Sequence, residues 1–198
     1  TQGARAEDLV AWLAPGEQLT GNIESEVTLG GTLDAIEAEG KVTLWEGSYR
    51  GYLLSRVSGD FRRSGGILTV REMEVDSFNA KAILSGTTDQ NQRLNFTVTA
   101  KEVETAYIQI KYPYPVEGKL SLDGKLTGTT QRPEFRGEVL YRKLRLNGQD
   151  LFDIGGEIVL LRDEVQLSAV HFLLGKGQVR ASGGYREKTE EVNGGLWV

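Results

Sequence analysis

Residues 21–44 read GNIESEVTLGGTLDAIEAEGKVTL, and residues 118–141 read GKLSLDGKLTGTTQRPEFRGEVLY. Set one above the other, they open a repeat that runs without a gap, 21–88 against 118–185, at a spacing of 97 positions. Gly21, Gly31, Gly40, Gly51, Gly59 and Gly86 meet Gly118, Gly128, Gly137, Gly148, Gly156 and Gly183. Leu29, Thr32, Glu37, Val42, Leu54 and Ser85 meet Leu126, Thr129, Glu134, Val139, Leu151 and Ser182. Twelve identities over 68 positions is a weak percentage, but half of them are glycine and no insertion is needed. An internal repeat constrains the architecture before any single residue does. The repeated material here alternates like hairpin sequence, so function is expected in the shape and polarity of a stacked surface.

Outward from the repeat, strands dominate. Apolar residues recur with a period of two: Ile23, Val27 and Leu29, interrupted by Ser25; Val42 and Leu44; Leu53 and Val57; Leu68 and Val70; Ala82 and Leu84; Leu94, Phe96, Val98 and Ala100; Ile108 and Ile110. The second unit continues with Leu120 and Leu122, Val139 and Tyr141, Leu144 and Leu146, Ile154, Ile158 and Leu160, Val165 and Leu167, and Val179 and Ala181. Such runs, punctuated by Gly, Asn and Asp, are the signal of half-buried strands, about thirteen of them. Parity breaks between Tyr141 and Leu144, which predicts a bulge there. One helix is predicted over Ala6–Ala14 within an entry segment, residues 1–20. Glu7 and Asp8 fall in its first turn, Leu9, Trp12 and Leu13 form one apolar face, and Pro15-Gly16 stops it. Tyr112-Pro113-Tyr114-Pro115 reads as a stiff extended connector.

Composition narrows the class. Glycine, at 25 of 198 residues, is well above the usual share of about 7%, and it marks turns, bulges and close approaches. With 39% hydrophobic residues the strands cannot be apolar on both faces, so one wet and one dry face is expected. A net charge of −5 with interspersed signs argues against a nucleic-acid partner. The chain has no cysteine, and hence neither disulfides nor thiolate metal sites. No apolar run is long enough for a membrane helix. The opening at Thr1 reads as an internal piece of a longer protein.

Catalytic chemistry is not in view. His171, the one histidine, sits between Val170 and Phe172 and reads as structural. Carboxylates are spread singly, and the denser stretch of Glu187, Lys188, Glu190 and Glu191 reads as a solvated loop. Gly175-Lys176-Gly177 has no following helix to make a phosphate loop of it. No catalytic residue, metal or cofactor is expected. Trp45, Tyr49 and Tyr52 could form a carbohydrate-stacking platform if coplanar and exposed; cross-strand aromatic packing competes with that reading.

The stretch Gly118 to Gly137 and the closes of the two units, Leu84-Ser85-Gly86 and Ala181-Ser182-Gly183, resemble the recurring phrase of the AsmA-like proteins, and within them of the TamB family. That phrase runs as glycine, an alternating strand, Gly-Thr, a short turn, proline, three residues, glycine and another alternating strand. Ile36 stands in the first unit where Pro133 stands in the second, a departure from the pattern. The resemblance implies an envelope protein in the periplasm of a diderm bacterium, anchored in the inner membrane by a segment outside this chain. It further implies an outer-membrane partner of the TamA type, and strands curled into an open apolar trough that conducts phospholipid.

The expectation is therefore an all-β chain: one continuous antiparallel or mixed sheet over residues 1–198, curled into a β-taco, with one short N-terminal helix. Exposing an acyl chain of about 16 carbons to water costs on the order of 13 kcal/mol, at ~0.8 kcal/mol per methylene, and a continuous greasy groove removes that barrier. Parity selects its lining as Leu29, Val42, Leu68, Val70, Leu94, Phe96, Val98, Leu120, Leu122, Val139, Ile158, Val165 and Leu167, with Lys41 and Glu138 on the other face. The competing expectation is a structural or interaction scaffold with a fully packed β core, serving outer-membrane protein or adhesin assembly.

Overall fold

The computed structural model describes residues 4–8, 18–32, 35–49, 51–77, 80–105, 116–174, 177–186, 188–189 and 191–197. The chain is all-β. Its strands are β1 (Ala4–Arg5), β2 (Leu19–Thr32), β3 (Ala35–Tyr49), β4 (Tyr52–Ser64), β5 (Ile67–Ser77), β6 (Ala80–Thr88), β7 (Leu94–Glu104), β8 (Val116–Gly128), β9 (Pro133–Leu146), β10 (Gln149–Leu161), β11 (Glu164–Leu174), β12 (Gly177–Arg186) and β13 (Glu191–Trp197). Their hydrogen-bonded order is the sequence order, with β1 and β13 at its two ends. Of the two forms expected, antiparallel or mixed, every described register is antiparallel. Short connections such as Gly65-Gly66 and Arg162-Asp163 leave no length for the crossover that parallel neighbours need.

Ala6–Asp8 are helical, and the rest of the predicted helix lies outside the described residues, as do Pro15-Gly16, Ile108, Ile110, the Tyr112–Pro115 connector, Gly175-Lys176, Glu187 and Glu190. Packing divides the chain into two units, Thr1–Phe96 and Thr97–Val198.

Each unit holds one copy of the repeat. Adding 97 to the bounds of β4 and β5 gives the bounds of β10 and β11, and the bounds of β2, β3 and β6 fall within one residue of those of β8, β9 and β12. The irregularities repeat as well. Register slips between Ser58 and Asp60 and between Val70 and Met73 in the first unit. It slips between Gly155 and Glu157 and between Leu167 and Val170 in the second. Glu72 (φ 46) and Ala169 (φ 50) sit at the same place in these bulges, each in the left-handed region. A bulge lets one strand bend against its partner without giving up the ladder on either side. The slip between Gly118 and Leu120 places an extra residue of β9 between Tyr141 and Leu144.

The shared glycines have a packing reason. A Cβ on Gly40 would overlap the carbonyl oxygen of Glu26, and a Cβ on Gly137 would overlap that of Asp123, so the neighbouring strand passes too close for any side chain. Gly31 (φ 85) and Gly128 (φ 83) turn the chain in a conformation that other residues enter with strain.

Candidate functional site

Residues directly opposite in an antiparallel ladder share a face, so the registers assign each side chain. In the first unit, Ile23, Leu44, Val57 and Val75 follow one another across β2 to β5, and Val27, Gly40, Phe61 and Val70 do the same further along. In the second unit, Leu122, Val139 and Gly156 align, then Leu126, Phe135, Leu160, Val165 and Tyr185. These rows make the apolar face of each unit. The other face carries the ion pairs Arg62–Glu39 and Lys143–Asp150 and the hydrogen bonds from Thr99 to Asp123 and from Ser168 to Glu157.

The apolar face is finished differently in the two units. In the first, Ala6 is completely buried against Ile23 and Leu44, themselves 3% and 2% exposed, with Ala4, Leu19, Val42, Leu54 and Val57 around them. This is a small packed core at one end of the unit. In the second, an apolar groove of about 620 Å³ is lined by Val116 and Leu146 of β8 and β9 together with Val165, Leu167 and Val170 of β11, Ala181 and Tyr185 of β12, and Val192 and Leu196 of β13. A flat sheet would set β8 and β13, five strands apart, roughly 24 Å from one another at ~4.8 Å per strand. Their sharing one groove means that the apolar face of this unit is strongly concave. Val192 and Leu196 remain 70% and 62% exposed.

Sequence parity put all thirteen candidate residues on the apolar face of their own unit, but the groove collects only two of them. Val165 and Leu167 line it. Leu120 and Val139 are buried in the second unit and Phe96 in the first. Val42, Leu68, Val70, Leu94, Val98, Leu122 and Ile158 are half-buried along the same faces. Leu29 lies near the far end of β2 and is 58% exposed. Lys41 and Glu138 face the polar side opposite Glu26 and Asp123. Val116, Leu146, Val170, Ala181, Tyr185, Val192 and Leu196 were missed as site residues. The repeat itself points to the last two, because β7 begins at Leu94 and the same offset of 97 starts a strand at Glu191.

The aromatic platform does not assemble. Trp45 pairs with Asn22 and Arg56 on the polar side. Glu46 (φ 50) then switches the alternation, so that Gly47, rather than Glu46, is buried, and a Cβ there would meet the side chain of Leu44. Tyr49 shares the parity of Gly47, which places the Trp45 and Tyr49 rings on opposite faces.

A second concavity, of about 780 Å³, lies on the polar face of the second unit. Lys101 and Arg142 share it with Asp123, Glu138 and Glu157, so its charges are mixed. His171 belongs to it, its ring lying over Gly155 where a Cβ would be. The other electrostatic features sit at hairpin ends. The Asp150 carboxyl is held below its ordinary value by hydrogen bonds from Arg145 and Lys143, and Asp163 is held down by Lys188. Among the described residues, no group of His, Asp and Glu is placed to hold a metal ion, and no helix is long and apolar enough to cross a membrane. Compared with family models, curated proteins and solved structures, the chain matches none.

Proposed function

We propose that the apolar groove of the second unit holds the acyl chains of a phospholipid, and that the chain is a segment of a non-enzymatic lipid-transfer protein of the bacterial envelope. The observation that carries the reading is the groove lining: nine apolar side chains from five strands converge on it, and two remain largely open to water. Leaving such surface wet is unfavourable by about 25 cal/mol per Å², and a hydrocarbon chain removes that cost. Location in the periplasm, an inner-membrane anchor outside this chain and a TamA-type partner belong to the same proposal and rest on the resemblance of the repeat phrase.

The test uses two neighbours on β11. Leu167 faces the groove and Gln166 the opposite side, so a photo-crosslinking residue at each samples both faces of one strand. Capture of phospholipid at Leu167 and not at Gln166, in the protein expressed in a diderm bacterium, is the expected result. Equal capture at both positions refutes the groove. The scaffold reading draws on the packed cluster of Ala6, Ile23 and Leu44 in the first unit; it predicts capture at neither position.

A further inference from the structure

Three hairpin ends of the second unit meet in a cleft of about 580 Å³: the β8–β9 turn with Arg132, the β10–β11 turn with Arg162 and Asp163, and the β12–β13 turn with Arg186 and Lys188. The cations there are of two kinds. Arg186 pairs with Glu164 and Glu191, and Lys188 pairs with Asp163 at 2.7 Å. The guanidiniums of Arg132 and Arg162 make neither a contact ion pair nor a side-chain hydrogen bond among the described residues, although both line the cleft; Arg162 acts on the neighbouring Asp163 through its charge alone.

The repeat supplies the control. Subtracting 97 from Arg132, Arg162, Arg186 and Lys188 gives Ala35, Gly65, Asp89 and Asn91 in the first unit. Strands with matching bounds there carry no cation at any of the four places. The frame therefore does not require these arginines. The cleft lies at the rim of the groove. Glu164 and Arg186 share the polar face with Gln166, and the next pair inward, Val165 with Tyr185, turns to the other face and lines the groove, so one ligand reaches both only by crossing the end of the sheet.

We propose that this cleft is a phosphoryl-binding site, in which Arg132 and Arg162 hold the headgroup phosphate of the amphiphile whose chains occupy the groove. The inference rests on the groove reading for its lipid source, and on the turns alone for its phosphoryl chemistry. A guanidinium offers a planar fork of donors that matches two phosphate oxygens, which a lone ammonium does not. Lys188 and Arg186 are shared among Asp163, Glu164 and Glu191, and Glu134, also in the lining, is paired with Arg136, so the forks of Arg132 and Arg162 are the cleft's cations without a contact partner and leave it one positive charge in excess.

Titration calorimetry with three probes tests this, using the whole chain and the double variant Arg132→Ala/Arg162→Gly, which carries the first unit's own residues at these turns. Dihexanoyl phosphatidic acid should bind the variant about tenfold more weakly, or less still. Dihexanoylglycerol, with the same chains and no phosphate, should bind both proteins equally. Unchanged binding of the phosphatidic acid overturns the proposal, as does an equal loss for the neutral lipid. If the neutral lipid binds neither protein while inorganic phosphate binds the parent and not the variant, the cleft stands as a site for free phosphate and the groove reading falls.

Discussion

The two units are built on one frame and furnished differently. Strand bounds, bulge positions and the close strand crossings at Gly40 and Gly137 recur at a constant offset. The first unit closes one end of its apolar face with Ala6 over Ile23 and Leu44. The second opens a groove between β8–β9 and β11–β13 and gathers unpaired arginines at its turns. The glycines common to both units serve the spacing and turning of strands. The residues at the groove mouth and the hairpin turns differ, and they are where a binding function is sought.

The largest effect separates packed from open apolar surface. Leu44→Ala should lower stability by about 2–5 kcal/mol, because the methyl groups removed leave a cavity under Ala6. Leu196→Ala, at a position 62% exposed, should change it by less than about 1 kcal/mol. Urea unfolding of the two variants measures the contrast, and comparable losses would erase the distinction drawn between the units. A matched pair sharpens the common frame. Gly40→Ala and Gly137→Ala each force a Cβ onto a neighbouring carbonyl, and each should cost about 1–3 kcal/mol. Similar losses are the expected outcome; tolerance at one position only would mean that the crossings are not equivalent.

The smallest effect lies at the β9–β10 turn. Asp150 is held below its ordinary value of 3.8, first by Arg145 and then by Lys143. A carboxyl with a depressed value contributes stability that is present above 3.8 and is lost as pH falls through the lowered value. Asp150→Asn should therefore reduce the melting temperature slightly at neutral pH, with the difference from the parent vanishing in strong acid. The first unit has Gly51-Tyr52-Leu53 around the matching turn and no such ion pair to lose, as Leu53 stands where Asp150 does.

Much of this frame was legible before the structure. Period-two alternation gave most strands and their inward face, because a one-residue error in parity would turn every side chain of a strand outward. It missed β1 and β13, and it set Leu53 in line with Val57, whereas Leu54 lies opposite Gly47 on the inner face and Leu53 is 65% exposed. The break between Tyr141 and Leu144 gave the β9 bulge. Two things were not legible. Glu46 adopts a left-handed conformation without being glycine, so nothing in its identity announced that Trp45 and Tyr49 would part. The groove depends on which distant strands curve toward each other, and parity carries no such information. Val116 and Leu196, 80 positions apart, meet only through the curvature of the sheet between them.

Native mass spectrometry of the chain, expressed in a diderm bacterium and purified without detergent, tests the central claim most directly. The account predicts a phospholipid adduct on the parent protein, lost in Leu167→Asp/Val192→Asp. Those positions are 36% and 70% exposed, so a carboxylate there stays hydrated and a β-type circular dichroism spectrum should persist. A charge in the path of an acyl chain is strongly unfavourable, which is why the adduct should go. A parent protein that carries no lipid, or a folded variant that retains it, would contradict the assignment of the groove.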